Sequence, residues 1–185
     1  MLTIPNLLSI LRMGLIPIFV LSILEGRTGR ALLCFAVAGV TDALDGFIAR
    51  FWKQQSALGA YLDPLADKLL LVTSYVVLAI PNLRGGLVIP AWVSAMVITR
   101  DVVIVVVALV LHLAAGVSRF PPSPLSKVNT AVQIATVLAV LLSDRGAQYE
   151  AVAIVCVYLV ATLTVGSSVE YIVRANRMAA LGGKG

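Results

Sequence analysis

The sequence is poor in charged residues and in cysteine, and it contains a single histidine. Of its 185 residues only 12% are charged, whereas 60% are hydrophobic and the mean hydropathy is +1.01. Because a soluble domain carries about a quarter charged residues, this composition excludes a water-exposed globule and a disordered chain. Cys34 and Cys156 lie inside apolar runs, which excludes a disulfide scaffold and disfavours a cysteine metal site. The sequence therefore predicts an integral membrane protein.

Basic residues are sparse, although the formal net charge is +5. They stand mostly at the edges of apolar runs, which favours contact with an anionic lipid surface over nucleic acid. The loop lysines and arginines are biased towards the side that holds both chain termini, and this bias predicts that side to be cytoplasmic. No leader or transit pattern is evident near Met1. We therefore expect a bacterial cell membrane rather than a mitochondrial inner membrane.

Six apolar runs are long enough to cross a bilayer, since a spanning helix needs about 20 residues. Turn-forming residues such as Gly, Pro and Asn separate them. No internal repeat is present, so we predict one membrane-embedded domain over residues 1–185, with a short polar tail from about residue 174. The predicted fold is all-α, with six transmembrane helices at Ile4–Leu24, Ala31–Arg50, Tyr61–Ile80, Leu87–Leu113, Pro124–Leu142 and Ala151–Val173.

Four aspartates lie inside the second and third runs, where a charge costs at least about 2.5 kcal/mol and by default marks function. Asp42 and Asp45 are three residues apart and Asp63 and Asp67 are four apart, so each pair shares one helix face. Carboxylates that converge there must bind cations, become protonated or face apart. Oxygen ligands without histidine or cysteine suit Mg²⁺ or Mn²⁺. The alternative is that each aspartate caps a helix or pairs with a nearby basic residue.

Small residues accompany these aspartates. Gly46, Ala49 and Gly59 leave room for a phosphate or nucleotide to approach the backbone, and the Arg50 guanidinium suits a phosphate oxygen. The alternative reading is close helix packing for the small residues and an interfacial anchor for Arg50.

The pattern Asp42-x2-Asp45-Gly46-x2-Ala49-Arg50-x8-Gly59-x3-Asp63-x3-Asp67 resembles the signature of the CDP-alcohol phosphatidyltransferases. The resemblance implies a six-helix bundle, a homodimer, and attack of an alcohol hydroxyl on CDP-diacylglycerol with release of CMP. It also implies two divalent ions, Mg²⁺ or Mn²⁺, and Asp67 as the general base. The implied metal ligands are Asp42, Asp45, Asp63 and Asp67, and the implied CDP-binding residues are Gly46, Ala49, Arg50 and Gly59.

Two later segments resemble the cardiolipin synthase branch of this family. They are Ile98–Val102 and Pro124–Gln133, and in the second Ser126 and Asn129 stand where the glycerol 3-phosphate branch has a glycine and a second lysine. One fewer cation suits the singly charged phosphodiester of phosphatidylglycerol, so we expect that lipid as the acceptor, with glycerol 3-phosphate as the alternative. Arg100 and Lys127 are expected on the acceptor phosphate, with Asn129 and Gln133 in the acceptor pocket. The alternative for these residues is membrane anchoring and interhelical hydrogen bonding.

Three other classes of protein fit parts of the pattern. An intramembrane prenyltransferase also uses two aspartate-rich motifs and Mg²⁺, but those motifs lie far apart on a longer chain. A cation transporter can use buried aspartates as a relay, yet it would show repeat-related broken helices. A purely structural membrane protein has little reason to keep four clustered carboxylates.

Overall fold

The computed structural model describes residues 4–52, 59–83, 85–115 and 124–182. Side chains are described over 7–42, 44, 65–83, 85–107 and 124–173. These ranges contain no strand, so the prediction of an all-helical chain is confirmed for the part of the molecule that is described.

Six α-helices form within these described ranges, one for each predicted run. The runs predicted at Ile4–Leu24 and Pro124–Leu142 have the observed bounds, whereas the last helix continues through the expected polar tail to Gly182, since alanine, arginine and methionine in that tail favour helix. The helices are α1 (Ile4–Leu24), α2 (Thr28–Trp52), α3 (Gly59–Leu78), α4 (Ala91–Ala115), α5 (Pro124–Leu142) and α6 (Ala147–Gly182), with a 3₁₀ turn at Ser143–Arg145.

Three segments are long and apolar enough to cross a membrane within the described residues: Leu7–Leu24, Pro124–Arg145 and Ala147–Val173. Large apolar side chains such as Leu33, Val155 and Tyr158 point away from the protein interior and are mostly exposed. In water an outer surface of this kind would be an aggregation-prone patch, whereas in a bilayer it contacts lipid. The chain is therefore an integral membrane protein.

The hydrophobic core lies in the half of the bundle that is farther from the α2–α3 connection. Phe19 of α1 packs against Phe35 of α2 with ring centroids 6.0 Å apart. Tyr75 of α3 is fully buried in the same cluster, and small residues such as Ala38 let the helices approach closely. Asp42 and Asp67 lie beyond this core, in the halves of α2 and α3 that lead to their connection.

Polar contacts close the end of the bundle that contains this core. The Thr28 hydroxyl at the start of α2 donates to Asp144 Oδ2 at 2.5 Å, and the Leu87 amide donates to Ser143 Oγ at 2.8 Å. Gly86 has φ +89°, and a Cβ there would lie 2.7 Å from Ser143 Oγ. Only glycine therefore satisfies both the backbone conformation and the close approach at this point.

Substitution Gly86→Ala tests this closure. We expect the variant to be destabilised by about 2 kcal/mol, because it adds a strained φ and a steric overlap with the 3₁₀ turn. Thermal unfolding in detergent or nanodiscs measures the effect. Gly85→Ala is the matched control, since a Cβ at Gly85 meets nothing within 4 Å; equal losses in the two variants would contradict the assignment.

Candidate active site

One buried arginine brings two of the predicted aspartates together. Arg12 of α1 is fully buried, and its Nη1 lies 3.1 Å from Asp42 Oδ1 on α2 and in direct contact with Asp67 Oδ1 on α3. The carboxylates are 44% and 40% exposed, so they are partly open to solvent or ligand while the guanidinium is not. A single positive charge thus joins carboxylates from two different helices.

The packing of α1 explains why these side chains meet. Among the described residues α1 packs extensively against both α2 and α3, while α5 also contacts both. Arg12 of α1 supplies the positive charge that the acidic side chains on α2 and α3 need in an apolar bundle.

A narrow crevice opens beneath the two carboxylates. It has a volume of about 80 Å³ and is lined by α2, α3 and α5. Asp42 and Asp67 form its polar end, and the remaining wall is largely apolar, including Phe35, Leu71 and Ile134. The crevice therefore places two carboxylates next to a hydrocarbon-like surface.

The remaining predicted metal and CDP ligands share these helices. Asp45, Gly46, Ala49 and Arg50 fall on α2, and Gly59 and Asp63 fall on α3, but their side chains lie outside the described residues. No group of three or more metal-ligating side chains occurs among the residues that are described. Their predicted roles therefore stay predictions.

The predicted acceptor residue Arg100 anchors a second polar cluster. It is buried, and its Nη1 donates to Asp101 Oδ1 at 2.8 Å, its Nη2 to Ser126 Oγ at 2.9 Å and its Nε to Ser167 Oγ at 3.2 Å. Asp101 also accepts a hydrogen bond from Lys68 Nζ at 2.5 Å. Four helices, α3 to α6, thus meet at one ion-paired cluster, and Lys68 is the chain neighbour of Asp67.

The other predicted acceptor residues lie on α5 in two different environments. Lys127 is exposed, whereas Asn129 and Gln133 are fully buried. Asn129 Oδ1 accepts a hydrogen bond from the Thr164 hydroxyl at 3.3 Å, but nothing in the described part of the chain bonds to its Nδ2 or to either atom of the Gln133 amide. Buried polar atoms nearly always have a partner, so these amides indicate a polar ligand or water between the helices.

Sequence reasoning missed Arg12, Lys68 and the serines that bind Arg100 as parts of these clusters. A signal for Arg12 existed, because it is a basic residue inside the apolar run Ile4–Leu24. Ser126 and Ser167 had no comparable signal, since an isolated serine in an apolar helix is common and its partner is fixed only by helix packing.

Comparison with known proteins agrees with the motif. The model of the CDP-alcohol phosphatidyltransferase family matches residues 2–166. The chain is 43% identical over 155 residues to the cardiolipin synthase (CMP-forming) of Rattus norvegicus, covering 75% of this chain and 50% of that protein. It is 34% identical to the CDP-diacylglycerol–glycerol-3-phosphate 3-phosphatidyltransferase of Pectobacterium atrosepticum, covering 91% and 92%.

A third relative, the cardiolipin synthase (CMP-forming) of Streptomyces coelicolor, is 32% identical over 96% of this chain and 84% of its own length. The chain spans about half the length of the rat protein but most of the two bacterial ones. The family match covers the Arg12 contacts and all of the Arg100 cluster except Ser167. The chain therefore belongs to the CDP-alcohol phosphatidyltransferase family.

Proposed function

We propose that this protein transfers a phosphatidyl group from CDP-diacylglycerol to phosphatidylglycerol, forming cardiolipin and CMP. The observation that carries the proposal is the shared contact of Arg12 with Asp42 and Asp67, which gathers two carboxylates around one positive charge. In the reaction an acceptor hydroxyl forms a new bond to the phosphorus that bears diacylglycerol. The bond from that phosphorus to CMP breaks, and the hydroxyl proton passes to Asp67.

Divalent ions fit the oxygen donors of this site. Asp42 and Asp67 offer hard carboxylate ligands, and their shared contact with the Arg12 guanidinium supports a site that attracts positive charge. Asp45 and Asp63 are proposed to complete the ligand set, as the family motif implies. Two Mg²⁺ or Mn²⁺ ions would neutralise the diphosphate of the donor and the charge that develops on CMP. Asp67 is partly exposed, so an acceptor hydroxyl has access to it.

The nucleotide is proposed to bind at the α2–α3 connection. Gly46, Ala49 and Arg50 follow Asp42 along α2, and Gly59 begins α3, so all four lie on helix segments that extend from the carboxylates towards that connection. Small residues there allow the phosphates to approach the helices, and Arg50 provides a guanidinium for a phosphate oxygen.

Six membrane spans with the site facing the cytoplasm complete the proposal. Helices α2, α3 and α4 contain 25, 20 and 25 residues, enough to cross a hydrocarbon layer that needs about 20. Several charges on these helices form ion pairs, namely those of Asp42, Asp67, Lys68, Arg100 and Asp101. Ion pairing lowers the free-energy cost of inserting these charges into the membrane. We place the protein in a bacterial cell membrane, as a homodimer.

The positions that distinguish the two acceptor branches both face the bundle interior. Ser126 accepts a hydrogen bond from Arg100, and Asn129 bonds to Thr164, so a second lysine at position 129 would be buried there. This arrangement supports a singly charged phosphodiester acceptor. Glycerol 3-phosphate is the second candidate, because the relative from Pectobacterium atrosepticum is named for that acceptor.

Purified protein given CDP-diacylglycerol tests the proposal. With phosphatidylglycerol and Mg²⁺ or Mn²⁺ we expect cardiolipin by mass spectrometry together with CMP, and we expect Asp67→Asn to lower CMP release by at least about 100-fold. Glu25→Gln, at an exposed carboxylate near the opposite end of the bundle, is the control. A product formed only with glycerol 3-phosphate would replace the acceptor, and CMP release unchanged in Asp67→Asn would refute the role of Asp67.

Arg12→Ala tests whether a cation occupies the carboxylate site. Without added metal we expect the free energy of unfolding to fall by about 2–3 kcal/mol. This loss is smaller than that for breaking a fully buried ion pair, because both carboxylates are partly exposed. Saturating Mg²⁺ should recover much of that loss by supplying the missing charge. Melting temperatures with EDTA and with Mg²⁺ measure this, with the exposed Arg27→Ala as control. Melting temperatures that Mg²⁺ raises in neither the wild type nor Arg12→Ala would contradict a divalent-ion site.

Gln133→Leu tests whether the buried amide contacts the acceptor. Because neither amide atom has a partner among the described residues, leucine should leave the melting temperature unchanged or raise it. We expect KM for phosphatidylglycerol to rise about tenfold, as for the loss of one or two hydrogen bonds. Thr136→Val on the same helix should leave KM unchanged. A lower melting temperature with unchanged KM would show that Gln133 only stabilises helix packing.

A further inference from the structure

A groove between α4 and α6 is separate from the carboxylate crevice. It has a volume of about 400 Å³, within the range of small-molecule sites. Its walls come from residues 95–104 of α4 and 168–172 of α6, whereas the crevice under Asp42 and Asp67 is formed by α2, α3 and α5. The α4–α6 groove and the crevice are therefore distinct openings formed by different helices.

The lining of the groove is almost entirely apolar. Met96, Val103 and Ile172 form much of the wall, and Ala95 is small enough to leave space beside them. The Tyr171 hydroxyl donates to the Ile104 carbonyl at 3.0 Å and so fixes the two helices to each other at one end of the groove. An open apolar groove on a membrane-embedded surface excludes water and takes up hydrocarbon.

One polar group interrupts this wall. Arg100 lines the groove while its guanidinium is held by Asp101, Ser126 and Ser167. The ion-paired cluster of Arg100, Lys68 and Asp101 contains two positive charges and one negative charge, so it keeps one positive charge in excess. That excess matches the single negative charge of a phosphodiester.

The same cluster connects the groove to the carboxylate site. Arg100 contacts Asp101, Asp101 contacts Lys68, and Lys68 is adjacent to Asp67 in the chain. The groove lining extends along α4 on both sides of Arg100, from Ala95 to Ile104. A lipid head placed at Arg100 thus has apolar groove wall beside it and the ion pair of Asp101 and Lys68 next to it.

We propose that the α4–α6 groove holds an acyl chain of the acceptor phospholipid, with the phosphodiester of that lipid at the Arg100 cluster. This inference depends on the proposed function, because it concerns the lipid that supplies the attacking hydroxyl. A transferase that joins two lipids needs two hydrocarbon sites, whereas one that uses a water-soluble alcohol needs only one. The crevice below Asp42 and Asp67 then serves the donor, and the α4–α6 groove serves the acceptor.

Two tryptophan substitutions on α6 provide a matched test. Ile172 lines the groove and is 56% exposed, and Val169 lies one turn away, is 57% exposed and does not line the groove. Both positions face the membrane, so either tryptophan should fold, which melting temperatures verify. In Ile172→Trp we expect KM for long-chain phosphatidylglycerol to rise about tenfold because the ring displaces several methylene groups. KM for CDP-diacylglycerol should stay unchanged in that variant, and both constants should stay unchanged in Val169→Trp.

Phosphatidylglycerol with six-carbon chains supplies a second readout, because its chains are too short to fill the groove. Its KM should be the same in the wild type and in Ile172→Trp. A larger KM for CDP-diacylglycerol in Ile172→Trp would assign the groove to the donor, and equal behaviour of the two tryptophan variants would refute a lipid site there. Cardiolipin formation by the wild type is measured separately. If the wild type forms no cardiolipin, the proposed function is wrong. If it forms cardiolipin while the two tryptophan variants have equal KM values for phosphatidylglycerol, only the assignment of the groove is wrong.

Discussion

The contact of one buried guanidinium with two carboxylates is the interaction on which the rest of the structure depends. Arg12 has no exposure to solvent, and Asp42 and Asp67 come from helices that α1 holds on either side of it. A lone arginine in an apolar bundle would be strongly destabilising, and two unpaired aspartates would repel each other. The three charges are stable only together, so they fix how α1, α2 and α3 pack.

This constraint divides the bundle into two parts with different roles. One half is filled by apolar side chains, among them Phe19, Phe35 and Tyr75, and its end is held together by the contacts around Gly86 and Ser143. This half supplies the apolar packing of the bundle. The other half contains the paired charges, the buried amides of α5 and both openings that lead to them. A reaction between a lipid-linked nucleotide and a second lipid requires this juxtaposition, because the diphosphate needs charge and hydrogen bonds while the acyl chains stay in hydrocarbon.

Particular elements show how far the sequence could predict this arrangement. Hydropathy predicted the bounds of α1 and α5, since uninterrupted apolar runs between turn residues leave little freedom in where such helices begin and end. It placed the end of the last span at Val173, where the apolar segment of α6 also ends, although the helix itself continues to Gly182 because the residues after Arg174 are more polar but still favour helix. Asp42 and Asp67 were predicted to converge and do so, through their shared contact with Arg12 of α1. Arg100 was predicted as a ligand for phosphate, and the structure shows in addition the three side chains that orient it.

The sequence by itself determined the properties that depend on local order along the chain. Composition determined that the helices lie in a membrane, and helical periodicity put each aspartate pair on one face. The eight motif residues from Asp42 to Asp67, at the spacing that the family has, determined the family. Only the tertiary structure decided that α1 carries the counter-charge, that Lys68 and Arg100 share Asp101, and that α4 and α6 leave a groove between them. These features depend on which residues of distant segments meet, and helix packing, not sequence separation, fixes that.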